Sequence, residues 1–153
     1  MSLQKQGISP LLVYSKEGSD SLESFSKTET EISECIRAAT AFQKPAFVAI
    51  KLSGLAPETE LRQLERQIHN ITSARQGASS RDILTRATQA LHQFPDLWGR
   101  VQRLSAVAKE SDVQLVLDAE IRFQGDIDAL PTSALLCSIL NQTGTKIWNT
   151  HQM

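Results

Sequence analysis

Four apolar runs, separated by longer segments with helical periodicity, set the pattern of this chain. They are PLLVYS (10–15), AFVAIKLSG (46–54), VQLVLDAE (113–120) and TKIWNT (145–150). The second and third runs are apolar at consecutive positions instead of alternating with polar residues, which is typical of strands that are covered on both faces. The pattern therefore predicts four β-strands.

The segment between the first two strands predicts one long helix. It opens with GSDSLE, where Asp20 and Glu23 have the spacing of a capping box. Apolar residues then recur at helical spacing until Lys44-Pro45, where the proline stops the helix. We therefore expect Asp20 to cap a helix that joins the first strand to the second.

The span from about residue 57 to 111 contains no strand signal and predicts a helical insert. Three stretches with helical spacing divide this insert, and they are separated by the small polar loop RQGASS (75–80) and by Pro95. One more helix, over residues 127–140, precedes the last strand and carries Pro131 in its first turns.

Strands that alternate with helices predict an α/β fold with a parallel sheet. The chain has 153 residues, 41% of them hydrophobic and 22% charged, which is the size and composition of one globular domain. Its net charge of −1 gives no reason to expect a nucleic acid or a membrane surface as partner. Cys35 and Cys137 lie far apart within helical patterns, so we expect buried free thiols.

Polar side chains collect where each predicted strand ends. In a parallel sheet these ends meet at one edge, where binding sites of such folds are found. Lys51 alone could be a strand-end lysine that reaches water, and Asp118 alone could cap the following turn. On one rim together, the two favour a ligand site over a structural pair. The other polar residues at strand ends are Tyr14, Lys16, Glu17, Glu120, Asn149, Thr150, His151 and Gln152.

Two further residues near the last strand call for an interpretation. His151 has no Cys or carboxylate at ligand spacing, so it does not predict a metal site. Trp148 lies within the predicted strand, and we expect it in the core or in a barrel wall.

Four segments of the chain resemble the proline dehydrogenase family, in the family's order. They are LVYSKEG (12–18), FVAIKLSGL (47–55), LVLDAEIRFQ (115–124) and NTHQM (149–153). The family pattern has a strand ending in YSxEG, a strand with IKxTGL or IKLSxL, then DAE and NTYQxY. The resemblance implies a (β/α)8 TIM-type barrel, and residues 1–153, with about four parallel strands, would supply its N-terminal half.

Members of this family oxidise L-proline to Δ1-pyrroline-5-carboxylate with FAD and pass the electrons to a quinone or another acceptor. By resemblance, Lys51 matches the lysine beside the flavin and the substrate carboxylate. Asp118 matches the aspartate that organises the substrate-binding charges, and Gln152 matches the glutamine that hydrogen-bonds the flavin ring. An ammonium at that place would stabilise negative charge on flavin and substrate. The family's C-terminal helix, whose arginines bind the proline carboxylate, is not among the matching segments, so we expect the chain alone to be inactive.

The resemblance leaves two questions open. Val13 stands where many members have Asp, and Ile121 stands where a polar residue is usual, so an inactive copy is one alternative. The other is a non-catalytic half-barrel that acts as a self-association or interaction module, because an open four-stranded sheet exposes its inward side chains and both edges. By resemblance the protein would be mitochondrial in a eukaryote, and otherwise cytoplasmic or in peripheral contact with a membrane.

Overall fold

The computed structural model describes residues 6, 9–14, 21–42, 44–73, 79–118 and 130–150. A 3-10 turn, Leu52–Gly54, follows the second strand. The strands and α-helices in these ranges follow one another in the order β1 (Leu11–Val13), α1 (Leu22–Ala39), β2 (Ala46–Ile50), α2 (Glu58–Ser73), α3 (Ser80–Leu91), α4 (Pro95–Glu110), β3 (Val113–Leu117), α5 (Leu130–Gln142) and β4 (Ile147–Asn149).

The four strands form a single sheet in the order β1-β2-β3-β4, and every neighbouring pair is parallel. Strands that follow one another in sequence are therefore also neighbours in space, as they are in a TIM-type barrel. The prediction of an α/β fold with about four parallel strands and covering helices is confirmed, and the arrangement is that of a partial α/β barrel.

One face of the sheet packs against the helices. Helices α1, α4 and α5 contact β2, β3 and β4 respectively, while α2 packs on α3 and α5. Alternate residues of the strands enter the hydrophobic core on this side, because successive side chains of a strand point to opposite faces. They are Ala46, Val48 and Ile50 of β2, Val113, Leu115 and Leu117 of β3, and Ile147 of β4.

The helix boundaries follow from local chemistry. Helix α4 begins at Pro95, where the missing N–H of proline is not needed. Helix α3 begins after Ser79, which forms a capping box with Asp82. The predicted cap of α1 is wrong: Ser21, not Asp20, is the N-cap, and its hydroxyl accepts a hydrogen bond from the Ser24 N–H at 3.2 Å.

Both cysteines were expected to be buried free thiols. Cys35 and Cys137 are both free thiols, and both are half-buried. Within the described ranges, none of the helices is both long and apolar enough to cross a bilayer.

Candidate functional site

The second face of the sheet, which we call the open face, is lined by the alternate residues of all four strands. The pairing register brings Val13, Ala49, Val116 and Trp148 into one row across the sheet. Both ends of this row are exposed, since Val13 and Trp148 each keep 57% of their surface accessible. The residues of the open face are Leu11 and Val13 of β1, Phe47, Ala49 and Lys51 along β2, Gln114, Val116 and Asp118 along β3, and Trp148 and Thr150 along β4.

Trp148 is therefore not a core residue; of the two places expected from sequence, the core and a barrel wall, the structure excludes the first. Its indole N–H donates to Gln114 Oε1 at 2.6 Å, so the polar edge of the ring is held by the neighbouring strand. The ring itself stands on the open face, beside Val116 and Ala49, which are 9% and 4% exposed. It would face the interior if the sheet were part of a closed barrel.

The C-terminal end of the open face carries a polar row, which we call the rim. Asp118 N–H donates to the Ile50 carbonyl at 3.0 Å, which extends the β2–β3 ladder by one step and sets Asp118 beside Lys51. Both side chains are half-buried. The structure thus brings two of the three predicted site residues to adjacent positions on neighbouring strands.

Thr150 completes the rim at the end of β4. Its N–H donates to the Leu117 carbonyl at 3.0 Å, and its hydroxyl donates to Asp118 Oδ1 at 3.2 Å. This hydrogen bond links the carboxylate of Asp118 to the end of β4. Sequence reasoning placed Thr150 among the polar strand ends but assigned it no role, because the contact depends on the register of β4 against β3.

The turn that follows Lys51 is held from the helix side by a buried arginine. Arg100 of α4 is only 6% exposed, and its Nη1 donates to the Leu55 carbonyl at 3.1 Å. Its guanidinium carbon also lies 5.6 Å from the centre of the Phe25 ring, which is a cation–π distance. Arg100 thus links α1 and α4 to the turn, and it is a residue that sequence reasoning missed.

Two other polar residues at strand ends point away from the rim. The Tyr14 hydroxyl donates to the Glu31 carboxylate on α1, and this hydrogen bond, with a smaller effect of burial, raises the pKa of Tyr14 to about 12. Asn149 alternates with Trp148 and so faces the helices, where its side-chain amide is buried without a hydrogen-bond partner. Neither residue belongs to the open face.

The third predicted site residue, Gln152, lies outside the described residues, as do Lys16, Glu17, Glu120, Ile121 and His151. What the described residues bring together is an ammonium, a carboxylate and a hydroxyl above an apolar floor. Such a set can bind a small molecule that carries charges of both signs and an apolar body. It also suits the polar edge of a flavin ring, for which Lys51 would supply the cation and the apolar row the contact surface.

Comparison with models of known protein families, with curated proteins and with solved structures found no match.

Proposed function

We propose that this chain forms the N-terminal half of a flavin-dependent proline dehydrogenase barrel and supplies part of its active site. The observation that carries the proposal is the adjacency of Lys51 and Asp118 at the C-terminal ends of neighbouring parallel strands. Catalytic residues of TIM-type barrels lie at this end of the strands. The order of the matching segments along the chain supports the same assignment.

The roles proposed for the chain's own residues follow from their charges. The Lys51 ammonium would bind the carboxylate of L-proline and stabilise negative charge on the flavin ring. Asp118 accepts a hydrogen bond from the Thr150 hydroxyl at 3.2 Å. It would fix the orientation of the Lys51 ammonium and accept a hydrogen bond from the substrate amine. Gln152 would bind the flavin edge through its amide, which can both donate and accept.

FAD, when bound, would supply the hydride acceptor for the oxidation of the L-proline ring to Δ1-pyrroline-5-carboxylate. The reaction also requires a quinone or another electron acceptor. On this proposal the protein would share the location of the family: mitochondrial in a eukaryote, otherwise cytoplasmic or membrane-peripheral.

The experiment that tests the proposal is a titration of the purified chain with FAD, followed by flavin fluorescence. We expect saturable binding, and we expect Lys51→Met to weaken it about tenfold, which is the effect of losing one charge-assisted hydrogen bond. Lys27→Met is the matched control, because Lys27 is exposed on α1, away from the sheet. Asp118→Asn and the exposed α4 control Asp96→Asn extend the comparison to the carboxylate.

Two outcomes would contradict the flavin assignment: no saturable FAD binding by the chain, or equal weakening by Lys51→Met and Lys27→Met. Dye reduction that depends on L-proline is measured in the same samples. We expect it to be absent from the isolated chain, because the family's carboxylate-binding arginines lie on a later helix of the barrel.

The open face favours a second candidate function. Trp148, Val13 and Leu11 expose 57%, 57% and 49% of their surface on one side of the sheet. Exposed apolar side chains on β1 and β4, the two edge strands of the sheet, can take part in protein association. A non-catalytic module for self-association or interaction is therefore the alternative, and the absence of flavin binding would favour it.

A further inference from the structure

We infer that Arg100 is a positioning residue for the rim: from the helix layer it fixes the turn after Lys51 and so keeps the Lys51 ammonium beside the Asp118 carboxylate. The role of Arg100 deepens the proposed function and rests on it, because positioning Lys51 matters only if a ligand binds at the rim. The geometric part of this role can be measured without a ligand, so the two proposals can fail separately.

Lys51 lies just beyond the part of β2 that the sheet holds. The last residue of β2 that pairs with β3 is Ile50, opposite Leu117, and the Asp118 N–H donates to the carbonyl of Ile50. The carbonyl of Lys51 is bonded within the turn, where it accepts from the Gly54 N–H at 3.2 Å. The sheet therefore sets the spacing of the rim positions, while the turn sets the backbone conformation of Lys51 and with it the direction of its side chain.

The end of this turn is tied to the helix layer by Arg100. The Leu55 N–H closes the turn on the Leu52 carbonyl at 2.9 Å, and the Leu55 carbonyl in turn accepts from Arg100 Nη1 at 3.1 Å. This second hydrogen bond is buried and has a charged donor, which makes it stronger than a bond between neutral groups. Loss of the guanidinium would therefore free the turn to move.

Arg100 also belongs to the helix that leads to the other rim charge. Helix α4 packs on β3 and is followed directly by that strand, which ends just before Asp118. One guanidinium thus joins the strand of the carboxylate to the turn of the ammonium. The ring of Phe25, 5.6 Å from the guanidinium carbon, contacts it from α1.

A neighbouring arginine shows that joining the two helices needs no buried charge. Arg103, about one turn further along α4, forms an ion pair with Glu29 of α1 while 62% of its side chain is exposed. Arg100 is buried, and within the described ranges no carboxylate lies at ion-pair distance from it. Burying a charge without a carboxylate partner costs free energy. Because Arg103 already connects the helices, we assign the buried charge of Arg100 to the turn.

The test is zero-length cross-linking with a water-soluble carbodiimide, which joins an amine to a neighbouring carboxylate as an amide, followed by peptide mass spectrometry. We expect a Lys51–Asp118 amide in the wild-type chain. The exposed ion pair Lys44–Asp112, at the opposite end of β2 and β3, is the internal reference. Arg100→Met should lower the yield at the rim, relative to this reference, at least about threefold.

The matched control is Arg103→Met, which removes the same charge from the same helix without touching the turn. It should leave the ratio of the two amides unchanged. Two conservative variants then separate positioning from general stability. Arg100→Lys keeps a charged donor and should give nearly the wild-type ratio, whereas Arg100→Gln keeps a neutral donor and should fall between Arg100→Lys and Arg100→Met.

The comparison of Arg100→Lys with Arg100→Gln decides the question even if Arg100→Met does not fold, which far-UV circular dichroism shows. Hydrogen exchange of the Leu55 amide gives a second measurement of the turn. Exchange should become faster in the order Lys, Gln, Met at position 100, and it should be at least about tenfold faster in a folded Arg100→Met than in the wild type.

Three results would overturn the role of Arg100. They are no Lys51–Asp118 amide in the wild type, an equal ratio in the variants of Arg100 and in Arg103→Met, and a yield in Arg100→Lys as low as in Arg100→Gln.

FAD binding is measured in the same variants, and on the proposed function it should weaken in Arg100→Met but not in Arg103→Met. A rim amide that depends on Arg100 in a chain that does not bind FAD would support the positioning role while contradicting the flavin proposal. FAD binding by a chain whose rim amide is indifferent to Arg100 would do the reverse.

Discussion

Asn141 offers a sharp test of how the last strand is held. It is the penultimate residue of α5, and its amide makes two hydrogen bonds to the backbone of Ile147, at 2.9 and 3.0 Å. The N–H and C=O of Ile147, a residue that is only 4% exposed, lose these partners in Asn141→Ala. The substitution removes no apolar contact of the core.

The expected loss of stability follows from these two bonds. Each contributes about 1 kcal/mol net, and leaving a buried backbone group without a partner costs about 1–3 kcal/mol. Alanine is the better helix former, which returns on the order of 0.5 kcal/mol. We therefore expect Asn141→Ala to lower the free energy of unfolding by about 2 kcal/mol, which corresponds to a decrease in Tm of about 4–8 °C for a chain of this size.

The assay is urea unfolding at neutral pH, followed by circular dichroism, with Asn70→Ala as control. Asn70 is an exposed residue of α2, so the same change of residue type tests helix propensity alone and should alter stability by less than about 0.5 kcal/mol. Hydrogen exchange adds a local measurement, because the Ile147 amide should exchange much faster in Asn141→Ala than in the wild type.

A result in which both asparagine variants have the wild-type midpoint would refute this reasoning. So would an Ile147 amide that stays protected in Asn141→Ala, since another group would then have to accept its hydrogen bond. A fall in the denaturant slope as well as in the midpoint would show that the variant changes the compactness of the unfolded or native state, or that unfolding is no longer two-state.

Two further predictions concern titration and reactivity. Tyr14 is the only tyrosine, so an alkaline absorbance titration reports it alone: the midpoint should lie near 12 in the wild type and nearer 10 in Glu31→Gln, and a wild-type midpoint of 10 would contradict the Tyr14–Glu31 hydrogen bond. The pKa of Tyr14 is raised in the folded state. The Tyr14–Glu31 hydrogen bond therefore contributes its full stabilisation of the folded state below pH 10, and this contribution is lost as the pH rises toward 12. Burial raises the pKa of the Cys137 thiol to about 11. Alkylation of Cys137 at pH 8, followed by mass spectrometry, should therefore be roughly 100-fold slower in the native protein than in urea. Equal rates in the two conditions would show that the thiol is accessible.

The sheet could be predicted from sequence because the second strand is apolar at every position and the third at every position except Gln114. AFVAI and VQLVL fit only strands with little solvent on either side, and the helical spacing between them leaves a parallel connection as the natural choice. The continuous pattern carries no information on what covers each face. The sequence therefore left the core and a barrel wall open for Trp148, and its 57% exposure on the open face excludes the core.

The rim could be predicted only in part. Lys51 and Asp118 were recognised because a charge at the end of an apolar run is conspicuous, and parallel strands end at the same edge. The Thr150 contact depends on register, and the Arg100 contact depends on how α4 packs, neither of which is encoded in a local pattern. The cap of α1 was misplaced by one residue because GSDSLE contains two adjacent side chains, Asp20 and Ser21, that are both good caps.

The rim has a consequence for how this chain could be altered. Neighbouring strands are about 4.8 Å apart, so the sheet alone fixes the spacing of positions 51, 118 and 150, whatever connects them. The segments between the helices of the β2–β3 connection could change in length without displacing the charged pair, provided that Arg100 of α4 keeps its contact with the turn after Lys51 and that β3 returns in the same register. A slip of β3 by a single residue, by contrast, would turn Asp118 toward the helices and move its carboxylate away from Lys51. Length changes in the connection should therefore leave binding at the rim unchanged, whereas a register change in β3 should abolish it.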